Sequence, residues 1–502
     1  MSADGAEGGE TAGTAAERLA EHALTTEFGD LSNEVRAAVG KHLADWTGLV
    51  VGGAALAESS ESVSAAVEAL AGGRRAVEGD GTAGTAGTAG TAGTAGTGGE
   101  APDGGGLSTD FSSGARIAPD RAALANGTYA HSLDFDDTHR ASSLHPGAPV
   151  IAAALAVGEA EGAGGAELAT AIVVGYDVAC ALGRAVNPDA HYGRGFHITA
   201  TCGTFGATAA AGRLRGLSRD ELAAAFGVNG SQTAGSLQFL ANGAWNKRLH
   251  PGLAASRAVV AAELAASGFR GAAAPIEGDH GFFAGYTENP ESEHLVDVDP
   301  GRALLETALK PYPCCRYTHA AIDGLLELTD EVDPADVTAV RVDLPASGVT
   351  LTGDPIDAKR RPSNFVDCQF SMPFAAALAL SEADAGLSAF LDAQGRLDDR
   401  ELRRLMDATA VTTTDRTRSR FPKTWAAGVE VETESGTHER FVEHARGEPE
   451  RPLSEEAVAR KFEELAAAAG CDPDVAAAAL DACRRLGRDG DAPYEALRAL
   501  SG

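Results

Sequence analysis

The strongest constraint on the fold is a nearly continuous series of helical patterns between residues 148 and 268. Apolar residues recur there at helical spacing, and Ser218 with Glu221 forms a capping box. Only 5% of the chain is aromatic while glycine and alanine are abundant, which favours closely packed helices over a β-sandwich. The patterns predict helices at roughly 148–160, 166–186, 200–215, 218–228, 230–241 and 252–268.

The N-terminal part of the chain combines helices with low-complexity segments. Apolar residues from Val35 to Val50 repeat at helical spacing and predict a helix over 32–52, with Ser32 or Asn33 as its cap. A shorter helix is predicted at 62–71. Residues 1–12 and the Gly-Thr-Ala repeat at 81–99 have almost no large side chains to bury, which predicts a disordered terminus and a flexible insertion.

Strand patterns occur only in the later part of the chain, and they indicate a second domain. Val340 and Val342 alternate with polar residues, as do Val429 and Val431, which precede a turn at 435–436. Since 502 residues exceed what one core supports, we expect a mainly α protein with more than one domain. The predicted parts are a large helical domain (1–302), a smaller α+β lid domain (303–449), and C-terminal helices (450–502, with helices at 454–469 and 473–486) that rejoin the helical domain. The cleft between domains is the default ligand site.

The charge of the chain restricts its partners. It carries 72 acidic and 41 basic residues, for a net charge of −31. This surface argues against nucleic-acid or anionic-membrane partners and suggests a halophilic source. Seven cysteines, an acidic N-terminus without an apolar leader, and no run of about 18 apolar residues predict a reduced, cytoplasmic, globular protein.

The segment NGTYAHSLDFDDTHRASSLHPGAP, at 126–149, has the highest density of groups that can carry protons. Such density is typical of sites that do chemistry. Two other interpretations are open: the aspartates with two of the histidines could ligate a divalent metal, or an aspartate could simply cap the next helical turn. The residues concerned are Asp134, Asp136, Asp137, Thr138, His131, His139 and His145.

Two later segments place histidine and lysine in positions that suit anion binding. Lysine is scarce, with six in the chain, yet Lys247 lies in NGAWNKRLHPG three residues before His250. A compact ammonium in a chain that otherwise uses arginine indicates a specific anion or proton role. His197 lies at a glycine-rich entry to a predicted helix, where backbone amides favour anions; the alternative is a satisfied core histidine.

A third segment, LKPYPCCRYTHA, connects the predicted helical domain to the lid. It contains Lys310 and Arg316, and its prolines make it a rigid connector that could hold substrate between the domains. The adjacent Cys314 and Cys315 have no CxxC partner, and vicinal cysteines rarely form a disulfide, so we interpret them as packing residues.

Taken together, these segments resemble the MmgE/PrpD family, which includes 2-methylcitrate dehydratase, cis-aconitate decarboxylase and iminodisuccinate epimerase. The motifs lie in the family's order over 126–325: ANGTYAHSLDFDDTHRASSLHPGAPV, GYDVACALGRAVNPDAHYGRGFHITATCGTFGA, SQTAGSLQFLANGAWNKRLHPGLAA, EGDHGFFAGY and LKPYPCCRYTHAAID. The resemblance implies a helical domain with an α+β lid, a homodimer, and neither a metal nor an organic cofactor. By matched motif it places site residues at Asp134, Thr138, His145, His197, Lys247 and Lys310.

The resemblance leaves the reaction open among family members. The family's decarboxylase uses a histidine where this chain has Cys315, and a lid tyrosine that FVDCQFSMPFAA does not offer. We therefore expect a cofactor-independent carbon–oxygen lyase of propionate metabolism that dehydrates 2-methylcitrate to 2-methyl-cis-aconitate. The alternatives are a cis-aconitate decarboxylase, an epimerase of an imino-dicarboxylate, a non-catalytic carboxylate-binding protein and a metal-dependent hydrolase.

The expected substrate is a small di- or tricarboxylate, and roles for individual residues follow from that chemistry. His145 is expected to transfer a proton, with Asp134 as its orienting partner or as the opposite member of an acid–base pair. Thr138 is expected to bind substrate or fix Asp134, and Lys247 to stabilise developing charge. Substrate carboxylates are assigned to four further residues: His197, His250, Lys310 and Arg316.

Overall fold

The computed structural model describes residues 13–70, 106–241 and 243–501. The predictions for residues 1–12 and for the Gly-Thr-Ala repeat at 81–99 lie outside these ranges. With 61% helix and 8% strand, the protein is mainly α, as predicted.

The first part of the chain forms a helical body that contains every helix predicted before residue 230. Ser32 caps α2 by accepting a hydrogen bond from the amide of Val35, and the Ser218–Glu221 capping box is present at α9. The helices are α1 (Ala15–Thr25), α2 (Asn33–Leu56), α3 (Ser60–Leu70), α4 (Pro119–His131), α5 (Gly147–Glu161), α6 (Gly165–Ala185), α7 (Pro188–Gly193), α8 (Ile198–Leu214), α9 (Arg219–Gln232), α10 (Asn246–Ala266), α11 (Phe282–Tyr286) and α12 (Arg302–Leu305).

Helix α6 lies at the centre of this body. It is long and apolar enough to cross a membrane by composition alone, with a mean hydropathy of 1.5 over its most apolar 18-residue window. However, 89% of that window is buried against the rest of the protein, as expected for a core helix. Helices α8 and α5 pack beside it.

The structure differs from the predicted helix at 230–241, and the difference places a functional side chain. Helix α9 ends at Gln232, and a 3₁₀ turn follows at Leu237–Ala241. Between them the carbonyl of Gly235 accepts a hydrogen bond from the amide of His197 at 2.8 Å. A side chain at Gly235 would collide with Ala200, so only glycine allows this close approach to α8.

Helix α10 begins six residues before its predicted start. It runs through Pro251, which lacks the N–H that would bond to the carbonyl of Lys247. Helix α10 crosses α4 closely: a Cβ on Gly127 would lie 2.9 Å from the Cα of Gly252. This glycine contact brings the first turn of α10 beside the end of α4, where the predicted site segment begins.

The lid contains a four-stranded sheet and eight helices among the described residues. The sheet order is β6-β5-β7-β8, with β5 and β6 parallel and the other pairs antiparallel. Val340 pairs with Val431 and Val342 with Val429, so the two segments that alternation predicts to be strands are neighbours in the sheet. Four short strands lie outside the sheet: β1 (Ser108–Thr109), β2 (Arg116–Ile117), β3 (Thr138–His139) and β4 (Thr307–Ala308). The lid elements are α13 (His319–Leu326), β5 (Val337–Asp343), α14 (Ala346–Thr352), α15 (Ile356–Lys359), α16 (Phe365–Gln369), α17 (Met372–Glu382), α18 (Leu387–Gln394), α19 (Arg400–Ala408), β6 (Thr409–Thr412), α20 (Asp415–Arg418), β7 (Ala427–Thr433) and β8 (Gly436–Val442).

The end of the chain returns to the helical body. Helices α21 (Glu455–Ala468), α22 (Pro473–Asp489) and α23 (Tyr494–Arg498) follow the lid, and α21 and α22 pack on α2. The buried apolar side chains form two clusters, one drawn from the body and these last helices and the other mainly from the lid. Leu133 and Phe135 belong to the lid cluster, so the segment that follows α4 lies where the two cores meet.

Candidate active site

Asp134 lies between two lysines from distant parts of the chain. The ammonium of Lys247 is 2.7 Å from its Oδ1, and that of Lys310 is 3.1 Å from the same atom. Lys310 also donates to the backbone carbonyl of Asp134 at 2.7 Å. Asp134 has a φ of +50°, a left-handed conformation that aspartate tolerates better than most residues.

The electrostatics of this cluster fix its protonation. Burial alone would raise the pKa of Asp134, but Lys247 and Lys310 hold it well below its usual range. Burial would likewise lower the pKa of Lys310, yet Asp134 and Asp136 raise it above its usual value. Asp134 is therefore a carboxylate and Lys310 an ammonium at neutral pH.

A second cluster consists of Asp136 and two histidines. Asp136 Oδ2 is 2.7 Å from His131 Nδ1 and 3.3 Å from His145 Nδ1, and the two imidazoles meet edge to face with centroids 4.7 Å apart. The interpretation of Asp134 as the orienting partner of His145 is therefore corrected: Asp136 has that position, because Asp134 is held by the lysines. The backbone amide of His145 donates to Thr199 Oγ1 on α8 at 3.1 Å.

His131 was not assigned a role from the sequence, yet it faces the cavity. Its Nδ1 is bound to Asp136, whereas its buried Nε2 has no hydrogen-bond partner among the described residues. Burial lowers the pKa of His131 to about 4, with Asp136 acting in the opposite sense. A neutral imidazole oriented by a carboxylate, with its other nitrogen free, is an arrangement suited to a general base.

The remaining polar residues of the segment have structural partners. Asp137 accepts hydrogen bonds from Tyr176 at 2.6 Å and from the amide of Gly147, the first residue of α5, at 3.0 Å. The Nδ1 atom of His139 lies 2.7 Å from the hydroxyl oxygen of Ser142. Asp137 therefore fits the capping interpretation, although the helix it caps begins ten residues later.

The structure changes which side chains of this segment could ligate a divalent metal. Asp134, Asp137 and His139 do not share a site with His145. The ligand atoms of His131, Asp136 and His145 do lie within 4.8 Å of one another, so these three side chains could hold a cation.

His197 and His250 form a second histidine pair. Their Nδ1 atoms are 3.0 Å apart, and Phe239 lies edge-on to both rings. Burial lowers the pKa of His250 to about 4 and, together with the charge of neighbouring groups, holds that of His197 well below its usual value. The ring of His197 stacks near His131 with centroids 6.1 Å apart, so both pairs belong to one cluster.

Thr138 lies close to the cluster but makes neither predicted contact within the protein. It pairs through its backbone with Ala308 in the short β3–β4 ladder. Its hydroxyl is buried without a hydrogen-bond partner among the described residues, and it does not bind Asp134. A role in fixing Asp134 is therefore not seen, and substrate binding stays a prediction.

A cavity of about 200 Å³ opens beside these clusters, between the helical body and the lid. This volume is below the range typical of drug-sized ligands and suits a small molecule. The body contributes His131, Ser132, Asp134, Phe239, Leu240, Gly243, Ala244, Trp245, Lys247 and Arg248, and the lid contributes Leu351, Lys359, Val366, Asp367, Gln369 and Phe370. The ammonium of Lys247 also lies 5.5 Å from the centroid of the Phe370 ring, which links the two walls.

None of the four predicted substrate-binding residues is among those that line this cavity. His197 and His250 belong to the histidine cluster beside it, and Lys310 and Arg316 are held by carboxylates. Lys310 is only 1% exposed and lies behind Asp134. Lys310 therefore positions Asp134. Arg316 forms an ion pair with Glu448, which is fully buried and also accepts a hydrogen bond from Arg140 at 2.7 Å. The expectation that Arg316 faces the pocket is therefore corrected, because a buried carboxylate of the lid already neutralises it.

The segment that carries the site is also held from behind. Lys461 on α21 donates to the carbonyl of Phe135 at 2.7 Å and forms an ion pair with Asp45 at the same distance. Its ammonium lies 3.8 Å from the centroid of the Phe135 ring. The C-terminal helices thus fix the backbone between Asp134 and Asp136.

The structure thus combines a helical body with a smaller α+β part, and a cavity with charged lining residues lies between them. Residues 81–295 match the family model of the MmgE/PrpD N-terminal domain, and residues 312–486 match that of the MmgE/PrpD C-terminal domain. The chain belongs to the MmgE/PrpD family, as the motifs predicted.

Similarity to individual proteins is lower and partial. A cis-aconitate decarboxylase of Aspergillus terreus is 24% identical over 309 residues, which are 58% of this chain and 62% of that protein. The cis-aconitate decarboxylase of Mus musculus is 32% identical over 217 residues, 42% of this chain and 43% of the mouse protein. The matched part thus spans less than two thirds of these relatives.

Proposed function

We propose that this protein is a cofactor-independent lyase that dehydrates a small tricarboxylate, with 2-methylcitrate as substrate and 2-methyl-cis-aconitate as product. The observation that carries the proposal is the pairing, on one wall of the cavity, of a neutral imidazole and an ammonium. His131 lines the cavity, and its buried Nε2 has no hydrogen-bond partner in the part of the chain that the structure describes. Lys247 lines the same wall with its ammonium beside the carboxylate of Asp134. Elimination of water next to a carboxylate needs such a base and such a charge.

The proposed reaction needs no reactant other than the substrate. The imidazole removes the proton from the carbon that bears the methyl group and a carboxylate. The electron pair moves into that carboxylate as an aci-carboxylate, whose charge Lys247 stabilises. The electrons then form the carbon–carbon double bond as the hydroxyl group leaves, and the imidazolium returns its proton to that group, so the products are the alkene and water.

Residues around the cavity divide the work. Asp136 orients His131 through a hydrogen bond and lies 3.3 Å from Nδ1 of His145, and both imidazoles are candidates to transfer the proton. Asp134 is not the acid, since its lysine partners keep it ionised. Lys310 positions Asp134, and we retain His145, Lys247 and Thr138 as candidates for direct contact with substrate.

A second candidate function is decarboxylation of cis-aconitate, which the names of the relatives favour. The same ammonium would stabilise the carbanion left by departing carbon dioxide. Two features place this second. The lid wall of the cavity offers Val366, Gln369 and Phe370 and no tyrosine hydroxyl, and Cys315 occupies the position where the resemblance implies a histidine.

Proton NMR distinguishes these reactions when the purified enzyme is incubated separately with 2-methylcitrate, citrate, cis-aconitate and iminodisuccinate. Dehydration produces a new alkene from the saturated acid, and decarboxylation releases carbon dioxide. An epimerase would change stereochemistry without loss of mass. Release of carbon dioxide from cis-aconitate, with 2-methylcitrate unchanged, would replace the first proposal with the second.

A matched pair of variants tests the assignment of the histidines. His145→Ala should lower kcat by about 10² to 10⁴, the usual contribution of a positioned proton-transfer group, while the circular dichroism spectrum is unchanged. His438→Ala, on strand β8 of the lid, is the control and should leave kcat unaltered. Near-wild-type kcat in the first variant would remove His145 from the mechanism.

Dialysis against a chelator addresses the metal-dependent hydrolase. Full activity after exhaustive treatment would support the cofactor-independent proposal. Loss of activity that zinc or magnesium restores would instead assign a metal to the His131–Asp136–His145 triad.

A further inference from the structure

Arg248 is a buried cation that has no carboxylate within 4 Å among residues 13–70, 106–241 and 243–501. It lies in the first turn of α10, lines the cavity and is 6% exposed. Its Nη1 makes one long hydrogen bond, 3.4 Å to the hydroxyl of Ser59, and its Nη2 has no partner among the described residues. Glu58 and Asp134 act on it only at longer range.

This environment sets Arg248 apart from the other buried cations of the described chain. Lys310, Lys461, Arg213 and Arg316 are equally buried, and each lies within 4 Å of a carboxylate. A guanidinium remains charged in proteins, so burying one without an anion costs free energy. Burial indeed lowers the pKa of Arg248 below its usual value. The unsatisfied face of Arg248 therefore suits an anion that arrives with a ligand.

The lid offers a second cation to the same cavity. Lys359, the last residue of α15, is half-buried and lines the cavity. It forms no ion pair within 4 Å in the part of the chain that the structure describes. The nearest carboxylates that act on it are Asp367 and Asp354, and Asp367 is already engaged with Ser363 and Asn364 at the start of α16.

The other cations of the site are already committed. Lys247 and Lys310 share one carboxylate, Asp134, which leaves roughly one positive charge for a ligand from that cluster. A tricarboxylate brings three negative charges into the cavity. Two further cations on opposite walls, Arg248 from the body and Lys359 from the lid, raise the positive charge around the cavity, and the carboxylate of Asp367 on the lid wall offsets part of it.

We propose that Arg248 and Lys359 form a carboxylate subsite that makes this pocket selective for tricarboxylates over dicarboxylates. The inference rests on the proposed function, since it assigns the substrate class of the same cavity. Arg248 binds the carboxylate from α10 and Lys359 binds it from α15, so the ligand contacts both walls of the cavity.

A pair of non-reacting ligands tests the subsite by binding alone. Propane-1,2,3-tricarboxylate has no hydroxyl group to eliminate, and glutarate is the same chain without the central carboxylate. Calorimetric titration of the wild-type protein should show at least about tenfold tighter binding of the tricarboxylate, as expected for a desolvated charge pair. Equal affinity for the two ligands would overturn the proposal.

Two single variants and matched controls complete the experiment. Arg248→Met and Lys359→Met should each weaken the tricarboxylate about tenfold to a hundredfold and change glutarate affinity by no more than about twofold. Arg270→Met, just beyond α10, and Lys423→Met, on the lid, remove exposed charges outside the cavity and should change neither. If the substitutions weakened the binding of both ligands equally, the two residues would contribute only a nonspecific positive charge. That result would overturn the subsite.

Failure of this proposal is distinguishable from failure of the proposed function. A protein that prefers the tricarboxylate but dehydrates none of the tested acids retains the subsite and loses the reaction. A protein that dehydrates 2-methylcitrate but binds glutarate as well as the tricarboxylate loses the subsite and retains the reaction.

Discussion

Lys310 holds Asp134 twice, through the backbone carbonyl at 2.7 Å and through the carboxylate at 3.1 Å. The two residues are 176 positions apart, so the contact joins the segment after α4 to the connector that leads into the lid. Because Lys310 also fixes a residue with a positive φ, it determines where the carboxylate of Asp134 points.

Replacement of Asp134 should therefore affect stability as well as turnover. Asp134→Ala leaves Lys310 buried without its partner, which should lower the free energy of unfolding by about 3 to 5 kcal/mol. Urea denaturation measures this loss. Asp134→Asn keeps the shape and one hydrogen bond and should cost less; an equal or smaller loss in the alanine variant would show that the pair does not stabilise the fold.

His131 should be as important for turnover as His145, although the sequence pointed only to the latter. His131→Gln keeps a polar side chain but removes the base, and kcat should fall by about 10² or more. In the wild-type enzyme kcat at saturating substrate should stay level as pH falls from 7 toward 5 and decline only near the pKa of His131, about 4. An acid limb centred near pH 6.5 would contradict this assignment.

The buried histidines should make the protein less stable in mild acid. The pKa of His131 and of His250 is about 4 in the folded protein and about 6.5 in the unfolded chain. Between these values the unfolded chain binds more protons, so stability is complete above pH 6.5 and falls as the pH drops toward 4. Each residue contributes about 3 kcal/mol at most.

Unfolding experiments at pH 7 and pH 5 measure the effect. A His131→Gln/His250→Gln variant should show a smaller difference between the two pH values than the wild-type protein. An unchanged difference would mean that other groups, such as the carboxylates, account for the acid sensitivity.

The crossing of α4 and α10 should tolerate no side chain at Gly252. An alanine there would collide with the carbonyl of Leu124 and the hydroxyl of Thr128, both on α4. Overpacking of this kind costs about 1 to 3 kcal/mol and would displace Lys247 from Asp134. Gly252→Ala should therefore lower both Tm and kcat. Gly285→Ala is the control, because a Cβ at Gly285 would meet no atom within 4 Å. A wild-type kcat for Gly252→Ala would show that the helix crossing does not position the active-site residues.

Arg316 should behave as a structural residue. Arg316→Met leaves Glu448 buried with fewer partners and should destabilise the protein by about 3 kcal/mol, visible as a lower Tm. Because Arg316 does not line the cavity, the KM of the remaining folded enzyme should change by less than about twofold, unlike that of Arg248→Met. A large rise in KM would show that Arg316 contributes to substrate binding after all.

The helical series and the positions of two strands could be predicted because both follow from periodicity. Apolar spacing located α2, α5, α6, α8 and α9, and alternation located β5 and β7. That β5 and β7 pair with each other is seen only in the structure. The start of α10 was missed because Pro251 normally marks a boundary, whereas here the helix continues through it.

The site could be predicted as a set of segments but not as a set of contacts. Motif order brought 134–145, 197, 247 and 310 together, and the structure does place them around one cluster. Spacing could not show that Asp136, rather than Asp134, lies beside His145, since that depends on the positive φ at Asp134. Nor could it show that Arg316 turns toward Glu448, which lies 132 residues further along the chain.

The hydrogen bond from Lys461 to the carbonyl of Phe135 has a consequence for biosynthesis. The two residues are 326 positions apart, so at about 5 to 20 residues per second the donor is translated roughly 15 to 65 s after the acceptor. A ribosome-bound chain that already contains every residue of the pocket still lacks this contact. Support of the site segment therefore waits for synthesis of α21, and a premature stop before residue 461 would yield a product that lacks this contact.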